Sequence, residues 1–271
     1  MEIGSTHTVK RAISATIVAF IAFITPTLSA ARELPNEFTA NYALEMLGTV
    51  MARAEYKLVH SNNGLYMTQS TRPAGLVALL RDDKIDVRSD MIISDGQILL
   101  VKYAYKHTGD DKDRDVSFQI DWRSDAEHGL VGKVVGIHQG KQVNFDVDMP
   151  VWDPLSIQVP IMLDTKKHLP PHEHGLFMKG EFKHYLFENH GSEKIVSNGE
   201  EFDTVKVAGR ETERDRAMYV WLVPALNNLP VKIEQWKEGK LKSTVRLENV
   251  SFVNDGDTRT LNFSDDPADY E

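Results

Sequence analysis

The sequence has 271 residues, 31 Lys and Arg against 40 Asp and Glu for a formal net charge of −9, and no cysteine. Without a thiol there is no disulfide, no thiol catalysis, no thiolate-bound metal and no lipid-modified cysteine to tether an exported chain. The acidic balance, with no Lys/Arg cluster beyond residue 11, argues against nucleic acid and against attraction to anionic headgroups, but leaves uptake of one apolar ligand open.

At the N-terminus, basic Lys10 and Arg11 precede an apolar run, Ala12–Thr25, and the small residues Leu28-Ser29-Ala30-Ala31. That order marks a secretory signal peptide, and the run falls short of the ~20 apolar residues a membrane-spanning helix needs. No later stretch is long and apolar enough to span. The expected organisation is a signal peptide over 1–30, one β-rich periplasmic domain over 31–263 and an acidic tail over 264–271. Loss of residues 1–30 removes two cations and one anion, moving the charge from −9 to −10. The mature chain is long enough to bury roughly 70% of its unfolded surface, so its core needs no covalent staple.

Beyond the leader the dominant period is two. Ala52, Ala54, Tyr56 and Leu58 oppose Arg53, Glu55 and Lys57, and Ile85, Val87, Met91 and Ile93 oppose Lys84, Asp86, Arg88 and Asp90. Val116, Phe118, Ile120 and Trp122 alternate with Asp115, Ser117, Gln119 and Asp121. Val143, Phe145, Val147 and Met149 alternate with Gln142, Asn144, Asp146 and Asp148, and Leu241, Val245 and Leu247 with Lys242, Arg246 and Glu248. Such alternation describes antiparallel strands with one buried and one wet face. Asn63-Gly64, Asp95-Gly96, Asn198-Gly199 and Glu238-Gly239 fall between them as hairpin turns. The fold class is therefore mainly β: a curved antiparallel meander of roughly a dozen strands, forming a half-open or closed barrel.

One interruption divides it near the middle. Asp153-Pro154 offers a cap and a first-turn proline for a short helix over Leu155–Thr165, which Pro160 kinks or ends. Lys166–Gly175 then reads as a loop. Within it, His168, His172 and His174 with Glu173 are the nearest approach to a metal site, since imidazoles bind zinc or copper and His172 and His174 share a face in a strand. Pro170-Pro171 disfavours a strand, so the solvated loop is preferred and no metal is assigned. His184 and His190 lie downstream with nothing to join them to it.

Other chemistry is weaker. Asp111, Asp113 and Asp115 start like a calcium loop, but Val116 and Trp122 replace its turn glycine and closing glutamate. Ser156 lacks the flanking glycines of a nucleophile elbow and more simply supports the helix start. No catalytic residue and no cofactor is assigned, and ligand-binding residues stay open. The aromatics Tyr66, Tyr103, Tyr105, Phe118, Trp122, Phe145, Trp152, Phe177, Phe182 and Tyr185 lie in or beside strands. They either fill the barrel as a packed core, the preferred reading, or line a cavity for an acyl chain.

Several segments carry a resemblance. Phe38-Thr39-Ala40-Asn41-Tyr42-Ala43-Leu44, Ser94-Asp95-Gly96-Gln97 running into Tyr103-Ala104-Tyr105, Asp153-Pro154-Leu155-Ser156, Tyr219-Val220-Trp221-Leu222 and Leu229-Pro230-Val231-Lys232-Ile233-Glu234 resemble a bacterial exported family known only as a domain of unknown function. The ending also resembles the periplasmic lipoprotein carriers of the Lol system. These resemblances imply a curved sheet with an apolar concave side in a Gram-negative periplasm, and no catalytic residue. The expected function is non-catalytic binding of an apolar ligand (a lipid or acyl chain) or an envelope protein. The alternatives are an assembly module with an exposed patch near Trp152 and Lys166–Gly175, and, less favoured, a metal-dependent hydrolase using His168–His174.

Overall fold

The computed structural model describes residues 34–262 apart from 110–113, 126, 128, 179, 198–199, 212–213 and 255–256. The leader over 1–30, Asp111 and Asp113, the Asn198-Gly199 turn and the tail over 264–271 lie outside the described residues.

The first eight strands form a meander: β1 (Phe38–Met46), β2 (Thr49–Ser61), β3 (Gly64–Pro73), β4 (Lys84–Ser94), β5 (Gln97–Thr108), β6 (Val116–Asp125), β7 (Gly129–His138) and β8 (Lys141–Val147). A two-residue strand β9 (Val151–Trp152) and the helix α1 (Gln158–Lys166) follow. A second meander then runs through β10 (His172–Met178), β11 (Glu181–Ser197), β12 (Glu200–Glu211), β13 (Arg216–Val223), β14 (Leu229–Lys237), β15 (Lys240–Asn254) and β16 (Asp257–Asn262). The two meanders join where β1 pairs with β15, and one path runs β8 to β1, then β15 back to β9, with β16 added on β15. Among the described residues the strands number sixteen rather than a dozen. All pairs are antiparallel except β9 with β10, where Gly175 and Leu176 lie parallel to Val151 and Trp152.

The sheet curls into a nearly closed barrel. Its two ends meet through side chains: Phe177 of β10 packs edge-on against Phe118 of β6 at 4.7 Å and stacks on Phe145 of β8 at 5.7 Å. β10 is consequently buried on both faces, which is why its residues 174–177 are all covered. Aromatic pairs of this geometry contribute about 1 kcal/mol beyond their buried area.

α1 fills the barrel. Seven of its nine residues are buried, the polar Gln158 and Thr165 among them, and only Asp164 and Lys166 at its end reach the surface. It starts at Gln158, three residues later than expected, because Asp153 and Ser156 first close a turn. The Asp153 carboxylate accepts from the Leu155 and Ser156 amides at 2.8 and 3.1 Å and from the Ser156 hydroxyl at 2.6 Å, while that hydroxyl accepts from the Asp153 amide. Pro160 then sits in the first helical turn, where its missing N–H costs little, so it neither ends nor breaks the helix.

Most expected faces hold: Ala54, Leu58, Val87, Met91, Phe118, Ile120, Val147 and Leu247 are buried, whereas Leu241 is exposed. Asp95-Gly96 and Glu238-Gly239 take the paired left-handed conformation of tight hairpins. Leu47-Gly48 and Gln139-Gly140 do the same without an Asn or Asp signal. The β2–β3 turn is centred on Asn62-Asn63, one residue before the expected pair, because Ser61 pairs with Gly64. Gly64 is held there by close approach: a Cβ would strike the Met91 carbonyl.

Candidate functional site

Several of the expected aromatics fill the barrel. Tyr103, Phe118, Trp152 and Phe177 are buried in one continuous core. Trp152 is only 5% exposed, so it is no part of a surface patch. Tyr66 lies outside, under the Arg88 guanidinium at 4.1 Å.

The accessible apolar space is instead a groove at one end of the second meander, with a volume of about 390 Å³ and open to solvent. Pro154 and Ile157, from the approach to α1, Leu176 and Met178 of β10, Tyr185 of β11 and Met218 of β13 supply its apolar lining. Register explains the convergence. His174 faces Tyr185 and Leu176 faces Lys183 on β10–β11, so Leu176, Met178 and Tyr185 point to one side, and Met218 faces Gln235 where consecutive residues of β13 and β14 border the groove. Arg216, Lys237 and Lys242 stand among the lining residues, with no carboxylate among them. Just outside that lining, Glu211 lies 3.8 Å from Arg216 and Glu238 3.3 Å from Lys237.

Beside the groove lies a buried ionic network. Lys183 bonds Glu211 at 3.0 Å, the Tyr185 hydroxyl donates to Glu211 at 3.3 Å, and Arg214 and Arg216 stand 3.7 and 3.8 Å from it. Burial raises the Glu211 pKa, but Lys183 and the two arginines outweigh it and hold the carboxyl below its usual range. Burial, assisted by Glu211, pushes the Tyr185 phenol up to about 12. The network joins β11, β12 and β13 beside the groove.

The histidines behave differently from the sequence reading. Residues 172–175 form strand rather than loop, because β10 pairs along its length with β11 and the two prolines end before it. His172 and His174 therefore share a face, and Asp164 of α1 reaches both: His172 Nε2 lies 2.8 Å and His174 Nε2 3.1 Å from the same oxygen, Oδ2. Asp164 was missed because it precedes the motif by eight residues and sits on another element. Glu173 points the opposite way, 3.5 Å from His184, and His190 pairs with Glu188 at 3.7 Å, so neither downstream histidine joins the cluster. His168 lines the small cavity of about 30 Å³ over which His172 and His174 lie. Ser156 is wholly buried in the turn with Asp153. Of the calcium-like triplet, Asp115 accepts the His107 amide at 3.0 Å.

Among solved structures, the chain is similar to a β-barrel-like protein of the domain of unknown function DUF1849 from Brucella abortus. The TM-score is 0.50 at 10% identity, over 83% of this chain and 100% of that one. It is less similar to a protein from Bacteroides fragilis described as exported with a YmcC-like fold (TM-score 0.35, 13% identity, 80% and 97% covered). A protein from Parabacteroides distasonis described as a lipoprotein matches at TM-score 0.31 and 14% identity, over 79% and 95% of the two chains. No curated protein matches the chain. Residues 37–246, from the start of β1 into β15, match the family of proteins of unknown function DUF3108, and the chain belongs to that family.

Proposed function

We propose that this chain is a non-catalytic periplasmic protein that seats the apolar chain of an anionic amphiphile, such as a fatty acid or lipid, in the groove between the approach to α1 and strands β10, β11, β13, β14 and β15. The reading includes a leader over 1–30 and a single working domain over 31–263. One observation carries it: an open, apolar-lined space of about 390 Å³ whose polar lining includes Arg216, Lys237 and Lys242 but no carboxylate. Ligand sites typically occupy ~300–1,000 Å³ and pair apolar walls with a few placed polar groups. Ten methylenes withdrawn from water at ~0.8 kcal/mol each supply about 8 kcal/mol, the free energy of a micromolar complex.

Native mass spectrometry of gently purified protein tests this. A wild-type adduct of lipid mass, lost in Met218→Glu, supports the reading. A bare mass that acquires nothing from added fatty acid counts against it.

The assembly-module reading gains its own support from a different place than expected. Leu76, Leu79 and Leu80, in the turn between β3 and β4, are 76%, 80% and 87% exposed. Crosslinking from these positions in intact cells tests for a protein partner, and recovery of none removes this second reading.

A further inference from the structure

We propose that Asp164, His172 and His174 form a site for a single divalent transition-metal ion of the zinc class, at the junction of α1 and β10. The three ligand atoms lie within 4.8 Å of one another. A tetrahedral ion bound at ~2.0–2.1 Å needs donors about 3.4 Å apart. The observed 2.8 and 3.1 Å from the histidine nitrogens to Asp164 Oδ2 must open by about 0.6 and 0.3 Å to reach that separation, and the two imidazole nitrogens already lie within 4.8 Å of each other.

A second observation points to a cation. His172 faces an acceptor with both ring nitrogens: Nδ1 lies 3.1 Å from the Pro170 carbonyl and Nε2 2.8 Å from Asp164. A neutral imidazole carries one N–H and satisfies one of the two. A metal ion on Nε2 resolves this, with Nδ1–H donating to the carbonyl, the arrangement that orients metal-binding histidines. His174 is held by the Phe187 ring, whose centroid is 5.4 Å away, so this ligand arrives pre-positioned. The adjoining cavity of about 30 Å³ has room for one or two waters as remaining ligands. Two imidazoles and a carboxylate suit zinc, iron or nickel, and disfavour calcium and magnesium, which take all-oxygen sets.

Bound there, the ion ties the last turn of the plug helix to the strand that the barrel closes around. It does not touch the groove, so this site and the proposed function stand or fall separately.

The test uses tag-free mature protein stripped with chelator, titrated with Zn²⁺ by calorimetry and with Co²⁺ by visible absorption. One ion per chain is expected, with tetrahedral-type cobalt bands. His172→Ala, whose side chain is partly exposed, is expected to weaken binding at least 100-fold, and Asp164→Asn and His174→Ala similarly, while His184→Ala changes nothing. Zn²⁺ is expected to raise the thermal midpoint of the wild type but not of His172→Ala, with circular dichroism confirming that each variant is folded. Absence of saturable binding below millimolar Zn²⁺, or binding unaffected by His172→Ala in a folded variant, overturns the proposal.

Discussion

The turn before α1 sets where Pro154 and Ile157 stand, so removing its organising carboxylate is informative. Asp153 is fully buried and accepts three hydrogen bonds, two from backbone amides. Asp153→Ala leaves those two amides buried without partners, at roughly 1–3 kcal/mol each, and removes a desolvated carboxylate whose loss returns part of that cost. The expected net is a destabilisation of about 3 kcal/mol. Asp153→Asn keeps an oxygen for both amides and strands only the Ser156 hydroxyl proton, so about 1 kcal/mol is expected. Urea denaturation with a shared m-value gives both numbers, and thermal midpoints should fall by ~2–4 °C per kcal/mol for a domain of this size. Equal effects of the two substitutions, or a loss under 0.5 kcal/mol for Asp153→Ala, would refute the assignment of the turn to this carboxylate.

Two buried carboxyls should respond to pH with opposite signs. Burial holds the Asp153 pKa above its usual 3.8, against the Ser156 hydroxyl and nearby amides, so its favourable contribution is complete below about pH 3.8 and fades as pH rises through the folded value. Asp153→Asn should therefore cost less at pH 7 than at pH 4. Glu211 is held below its usual 4.5, so it stabilises above that pH and loses its contribution as pH falls through the folded value; Glu211→Gln should cost more at pH 7 than at pH 4. Urea midpoints across that range read both trends. Tyr42 donates to the Pro230 carbonyl at 2.8 Å inside the core, and Tyr42→Phe should cost ~1–2 kcal/mol in the same assay, with no measurable change arguing against that bond. Gly136→Ala puts a methyl into the Ser117 carbonyl and Phe118, and a loss of ~1–3 kcal/mol is expected by thermal melt, a neutral result showing that β6 and β7 sit further apart than described.

Strand phase was legible because one face of most strands is wet, so Phe118 and Ile120 against Ser117 and Gln119 announce both element and orientation. Where both faces are covered the alternation vanishes. Residues 174–177 are buried in succession, and with Pro170-Pro171 just before them they carried no strand signal. The quoted resemblance rested on segments that meet in space: Tyr42, from the opening motif, bonds Pro230, from the closing one, which makes both motifs supports of the β1–β15 seam rather than parts of a site. Trp221, from the closing motif, carried no signal of its surroundings. It lies opposite Lys206 and Lys232, whose ammonium groups cover its ring at 4.6 and 4.4 Å, so part of its burial comes from snorkelling lysines. The groove could not be read at all, since it needs Met178, Tyr185 and Met218 from three strands and Ile157 from the helix approach. The metal-ligand set was half visible: the spacing of His172 and His174 was there, but Asp164 joins them only through the packing of α1 on β10.

The most direct measurement is photo-crosslinking of the mature protein with a long-chain fatty acid carrying a diazirine near its methyl end, followed by peptide mapping. Labelling concentrated on the Leu176–Met178 and Arg216–Met218 segments, and competed away by unmodified fatty acid, is the expected result. Labelling confined to Leu76–Leu80, or scattered without competition, would contradict a binding groove at this end of the barrel.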